Sequence, residues 1–158
     1  MRWQDWYRGC VKAARLQQRL MKSGDTCSIV VTTDVHLNGC WHDAQYYARA
    51  LRKSGAVKYQ FTWNGYETIG ELEAAKGFAA SQGAQLIVVT TFAHYLRVAY
   101  LMRKAGIRAK HYCAFGLPRW KEMVTDVILT FAFPLIDLCG KREWFVRLVV
   151  ARRKTGKM

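Results

Sequence analysis

A chain of 158 residues that is 51% apolar and 13% aromatic holds enough hydrophobic material for one domain core and hardly enough for two. That composition excludes a disordered polymer. Its formal net charge of +14 gathers at the ends: residues 1–24 carry six basic and one acidic side chain, residues 141–158 carry seven and one, and the 116 residues between hold only +3.

Two basic ends around a near-neutral middle suit contact with an anionic surface, lipid headgroups or nucleic acid, and suit equally a solvated basic periphery. Cys10, Cys27, Cys40, Cys113 and Cys139 form an odd, scattered set without a CxxC pair, unlike the even frameworks of short secreted chains. The start, Met1-Arg2-Trp3-Gln4-Asp5-Trp6, lacks the uninterrupted apolar core of a signal peptide. Together these predict a reducing, cytoplasmic setting, with the inner membrane face as a peripheral alternative.

From the N-terminus, Arg2 to Lys22 reads as a helix with Trp6, Cys10, Val11, Ala14 and Leu20 roughly along one stripe and Gly24 as its stop. The β-branched run Cys27 to Thr33 predicts a buried strand. His42 to Lys53 predicts a helix ending at Ser54-Gly55, and Val57 to Trp63 a second strand ending at Asn64-Gly65. Thr68-Ile69-Gly70-Glu71 has the pattern of a capping box and opens a helix that runs to about Gln82. Leu86 to Thr90 is the strongest strand, followed by a helix from about Ala93 to Lys104. Arg108 to Phe115 predicts a last strand.

Strands alternating with helices in this way predict a small, mostly parallel sheet of about four strands in a Rossmann-like three-layer α/β/α domain over residues 1–118. Residues 119–158 form a helical, basic extension. Its stretch Met123 to Leu138 contains Asp126 and Asp137 and is interrupted by Pro134, so it falls short of the ~20 apolar residues of a membrane span. Trp144 to Lys154 mixes aliphatics with arginines, as in a helix lying on a bilayer or one packed on the domain with its arginines wet.

In an open parallel sheet, ligands bind beyond the carboxyl ends of the strands. The polar residues expected there are Asp34 and His36, then Asn64 to Thr68, then Thr90, Thr91, His94 and Arg97. A helix starting near Ala93 would bring its amide hydrogens and positive dipole end to an anion and place His94 and Arg97 on one face. The guanidinium suits a phosphate or carboxylate, the imidazole can move a proton, and Glu67 would add a general base. A structural role for each, with Thr68 and Glu71 only capping, is the competing reading. Asp34, His36, His42 and Asp43 match no standard metal spacing.

Val89-Thr90-Thr91-Phe92-Ala93-His94-Tyr95-Leu96-Arg97 resembles the signature of the YdcF/SanA/ElyC-like family, a strand ending in Val-Thr-Ser followed by His-x-x-Arg. Glu67-Thr68-x-x-Glu71 is similar to the family's Glu-Thr motif, and Asp43 to Leu51 to its acidic-Ala helix. The likeness covers about residues 25 to 116. It implies a Rossmann-like fold with a polar pocket at the strand ends and, in some members, a link to envelope or lipid-carrier metabolism. The chain departs from the family at its first strand exit, which is Thr32-Thr33-Asp34 in place of a glycine-rich loop.

Three functions are therefore expected to compete. The first is a pocket for an anionic, phosphate-bearing small molecule or lipid headgroup: His94 and Glu67 act on the ligand, and Arg97, Thr90, Thr91, Thr68, Asn64 and Asp34 bind it. If it is an enzyme, its chemistry is of phosphate-ester hydrolase or transferase type. The second is a non-catalytic scaffold on a membrane surface, and the third a nucleic-acid-binding protein using its basic ends. A nucleotide-like cofactor such as S-adenosylmethionine also suits the cleft, against the missing glycine-rich loop.

Overall fold

The computed structural model describes residues 3–32, 41–62, 68–116 and 120–154. In chain order these form α1 (Trp3–Lys22), β1 (Ile29–Thr32), α2 (Trp41–Lys53), β2 (Tyr59–Thr62), α3 (Thr68–Ser81), β3 (Ile87–Thr91), α4 (Phe92–Lys104), β4 (Lys110–Ala114), α5 (Trp120–Leu138) and α6 (Arg142–Lys154). The strands are short, and two are rich in β-branched residues, Ile-Val-Val-Thr in β1 and Ile-Val-Val-Thr-Thr in β3. Such side chains lose little freedom on a pleated surface.

All observed pairing is parallel. β1 lies beside β2 with Ile29 opposite Tyr59 and Thr32 opposite Thr62, and β3 beside β4 with Ile87 opposite Lys110 and Thr91 opposite Ala114. Among the described residues the ladder hydrogen bonds divide into these two pairs. The protein is thus mixed α/β with two parallel two-stranded sheets. α1 touches β1 as well as β3 and β4, and so bridges the two pairs.

Each pair has its own core. Cys10, Ala50 and Leu51 pack with Ile29, Val31, Tyr47 and Tyr59 around the first. Leu72, Val98, Leu101, Met102, Ile107 and Phe133 pack with Val88 and Leu129 around the second. Between the two, Gln17 of α1 is only 1% exposed. Its amide nitrogen donates to the carbonyls of Cys27 and Lys58 at 3.0 and 2.7 Å, and its oxygen accepts the Val57 amide at 2.9 Å. These are backbone groups at the entries to β1 and β2, and the Lys58 carbonyl accepts the Ile29 amide at 3.0 Å as well. One side chain satisfies three of them, as buried polar groups require.

The helices stop where glycine permits. At the end of α4, Gly106 adopts φ +60° and the Ile107 amide donates back to the Met102 carbonyl at 2.9 Å. At the end of α2, Gly55 (φ +76°) also leaves room for Gln18, whose Nε2 would lie 2.6 Å from a Cβ there. Only a residue without Cβ takes this left-handed turn cheaply.

α3 spans Thr68–Ser81 with Glu71 in its first turn. Pro134 does not interrupt α5, which runs from Trp120 to Leu138 with the proline inside it. One turn earlier the Thr130 hydroxyl donates to the Asp126 carbonyl at 2.7 Å. Packing outweighs the ~3 kcal/mol that an interior proline costs. Phe133, beside the proline, is 6% exposed in the second core.

Three helices are tied together at Asp137. The α5 carboxylate accepts from Tyr100 Oη at 2.7 Å, pairs with Lys104 Nζ of α4 and pairs with Arg142 Nη1 of α6 at 3.0 Å. Burial pushes this carboxyl up, but the hydrogen bonds from Lys104 and Tyr100 and the charges of Arg142 and Lys104 outweigh it. The net result holds Asp137 below its ordinary value.

Candidate functional site

The carboxyl end of β3 leads straight into α4. Thr91 is the last strand residue and the N-cap of the helix, with extended backbone (φ −72°, ψ 161°), and its side chain makes no capping bond. The amides of the first turn of α4 therefore receive no acceptor from Thr91, and the positive end of the helix dipole faces the strand exit. His94 and Arg97 follow in that first turn and the next, three residues apart on one face.

The two side chains are adjacent, with Arg97 Nη2 3.0 Å from His94 Nδ1. Both converge on Asp126 of α5. His94 Nδ1 lies 2.8 Å from each carboxylate oxygen, and Arg97 Nη1 lies 3.0 Å from Oδ1. The carboxylate side chain is 4% exposed, the guanidinium 13% and the imidazole 46%. Nδ1 thus faces both an acceptor, the carboxylate, and a donor, the guanidinium; in the tautomer with the proton on Nδ1 it donates to Asp126. In that tautomer the half-exposed ring turns the lone pair of Nε2 toward an outside proton. That tautomer is the one a proton-transferring histidine needs.

The threonines divide. Thr90 Oγ1 is bonded to His111 Nε2 of β4 at 2.7 Å, and the His111 ring stacks on Tyr95 of α4 with centroids 4.1 Å apart. Burial holds His111 below its ordinary value and keeps it neutral. Thr90 thus spends its hydroxyl on a neighbouring strand, whereas Thr91 stands at the helix entrance. Thr68 is half-buried at the start of α3. Asp34, His36, Asn64 and Glu67 lie outside the described residues, as does their expected convergence with His94; the side chains of His42 and Asp43 are likewise outside them.

Sequence reasoning missed Asp126, His111 and Arg8. The signal for Asp126 was present: a carboxylate inside an otherwise apolar helix must have a partner if it is buried. His111 sat inside a strand pattern and carried no signal. Arg8 of α1 reaches the exit of β4, where its guanidinium occupies the space a side chain at Gly116 would need; a Cβ there would fall 1.7 Å from Nη1. α1 therefore brings a second cation to the carboxyl ends of the strands.

A cleft of about 580 Å³ lies at the opposite, amino ends of β3 and β4, lined by Lys76, Leu86, Ile107 and Arg108 among others. It shares no residue with the His94 cluster. Among the described residues no group of three histidine, cysteine or acidic side chains is placed to hold a metal ion.

The cluster is thus an imidazole fixed by a buried carboxylate, flanked by a guanidinium, at a helix N-terminus where a strand ends. Compared with models of protein families, with curated proteins and with solved structures, the chain matches none, and its chemistry is read from this geometry alone.

Proposed function

We propose that the protein binds an anionic, phosphate-bearing small molecule or lipid headgroup at the carboxyl end of β3, within a Rossmann-like α/β domain of the YdcF/SanA-like kind. The observation that carries this reading is the bond from His94 Nδ1 to the buried Asp126 at 2.8 Å. It leaves the outer nitrogen to exchange a proton with a ligand seated over the first turn of α4. The first-turn amides supply donors for phosphate oxygens. Arg97 gives its Nη1 to Asp126 and contributes its remaining positive potential to the same place, and Arg8 adds charge from the β4 side. Any chemistry performed here is proton transfer in phosphate-ester cleavage or transfer, with Asp126 holding the tautomer.

The test is thermal stabilisation of the full chain by inorganic phosphate, pyrophosphate and a short-chain phosphatidic acid. Stabilisation by at least one of them, lost in His94→Ala and weakened in Arg97→Lys, is the expected result. No stabilisation by any of the three, or an unchanged shift in His94→Ala, would overturn the reading. The half-exposed position of His94 keeps the alanine variant folded.

A further inference from the structure

α5 is an amphipathic helix turned inside out. Its two aspartates face the protein, Asp126 toward His94 and Arg97 and Asp137 toward Tyr100, Lys104 and Arg142. Every exposed described side chain on the helix is apolar: Trp120, Met123, Val124, Val127, Ile128, Phe131, Leu135 and Leu138, from 42% to 83% exposed. Their spacing of three and four residues makes one continuous stripe along the ~28 Å of the helix. α6 adds Trp144 at 62% and Leu148 at 44% exposure. The uncovered apolar surface is on the order of 1,000 Å², against ~300–600 Å² for the largest patch on an ordinary monomer.

From this face we infer that α5 and α6 form a docking surface for an anionic lipid bilayer. Charge complementarity selects this occupant. The segment from residue 141 to 158 carries seven basic and one acidic side chain, with Lys141 exposed directly after α5 and Arg147 83% exposed on α6. A second copy of the chain would bring another set of the same charges to the interface, whereas anionic headgroups oppose them. Tryptophans at the start of α5 and in α6 suit the boundary between acyl chains and headgroups. The helix lies on the bilayer and does not cross it: none of the described helices is long and apolar enough to span a membrane, and Asp126 and Asp137 are anchored to α4 and α6. This surface stands independently of the His94 pocket.

The test is co-sedimentation of the full chain with vesicles of phosphatidylcholine alone and of phosphatidylcholine containing phosphatidylglycerol. Binding to the anionic vesicles is expected, with a weaker association to the neutral ones. Phe131→Glu combined with Leu135→Glu replaces two outward side chains and should weaken binding by roughly a hundredfold, while circular dichroism and thermal unfolding stay as in the parent. No pelleting with anionic vesicles would overturn the inference. So would undiminished pelleting of the double variant, which would reduce the contact to charge alone. Sedimentation velocity provides the third outcome: a dimer dispersed by the same double variant, without lipid binding, would assign the face to a second copy and likewise overturn it.

Discussion

The carboxylate of Asp126 holds Nδ1 of His94 across 32 positions of sequence at 2.8 Å. The bond joins the C-terminal helix α5 to the first turn of α4, and Arg97 closes the triangle on the same carboxylate. A helix that looks like an appendage in sequence therefore supplies the buried member of the candidate site, and its removal would leave both basic side chains without their anion.

This triangle should show energetic coupling. Asp126→Asn keeps the shape but removes the charge facing Arg97, and the cost of breaking so buried a pair is about 3 kcal/mol. In a double-mutant cycle, Arg97→Met and Asp126→Asn should couple by roughly 1–3 kcal/mol in urea denaturation. Additive effects would mean that the pair contributes nothing specific.

His111 gives the fold a pH dependence. Its value is lowered by burial from 6.5, so below about pH 6.5 the unfolded chain takes up a proton that the folded chain refuses. Stability at this residue is complete above that pH, declines as pH falls toward the lowered value, and then levels off. Denaturation midpoints between pH 7.5 and pH 5 should fall less in His111→Gln than in the parent, at roughly those pH values.

Gln17→Leu preserves volume but leaves the Cys27 carbonyl and the Val57 amide unmet and takes one of two donors from the Lys58 carbonyl, which keeps the Ile29 amide. At ~1–3 kcal/mol for each of these two unmet groups, a loss of at least about 2 kcal/mol is expected in chemical denaturation. Hydrogen exchange should quicken first at Val57, whose amide loses its acceptor.

The cysteines should separate by reactivity. Burial pushes the Cys10 thiol up to about 12, and burial with the nearby Asp25 charge raises Cys27. Cys139 is exposed. Alkylation at pH 8 followed by peptide mass spectrometry should modify Cys139 within minutes and spare Cys10 until denaturant is added. Equal rates at the two would contradict the burial of α1 against Leu51.

Local chemistry was legible in the sequence. β-branched runs announced β1 and β3, and Gly24 and Gly55 announced the ends of α1 and α2, because a left-handed turn leaves few choices of residue. The His94 and Arg97 spacing announced their adjacency, because a helix fixes which residues share a face. The fate of Pro134 was not legible, since propensity is local and the packing of Phe133 is not.

Tertiary structure decided the rest. Asp126 and Asp137 read as charges that spoil an apolar segment. Only the cations of α4 and α6 turn them inward, and that turn is what sends Phe131, Leu135 and their neighbours outward. Nor does periodicity say whether four parallel strands hydrogen-bond as one sheet or as two pairs, because that depends on contacts between elements distant in sequence. Spacing along a chain determines which side chains share a face; which face meets water depends on partners distant in sequence.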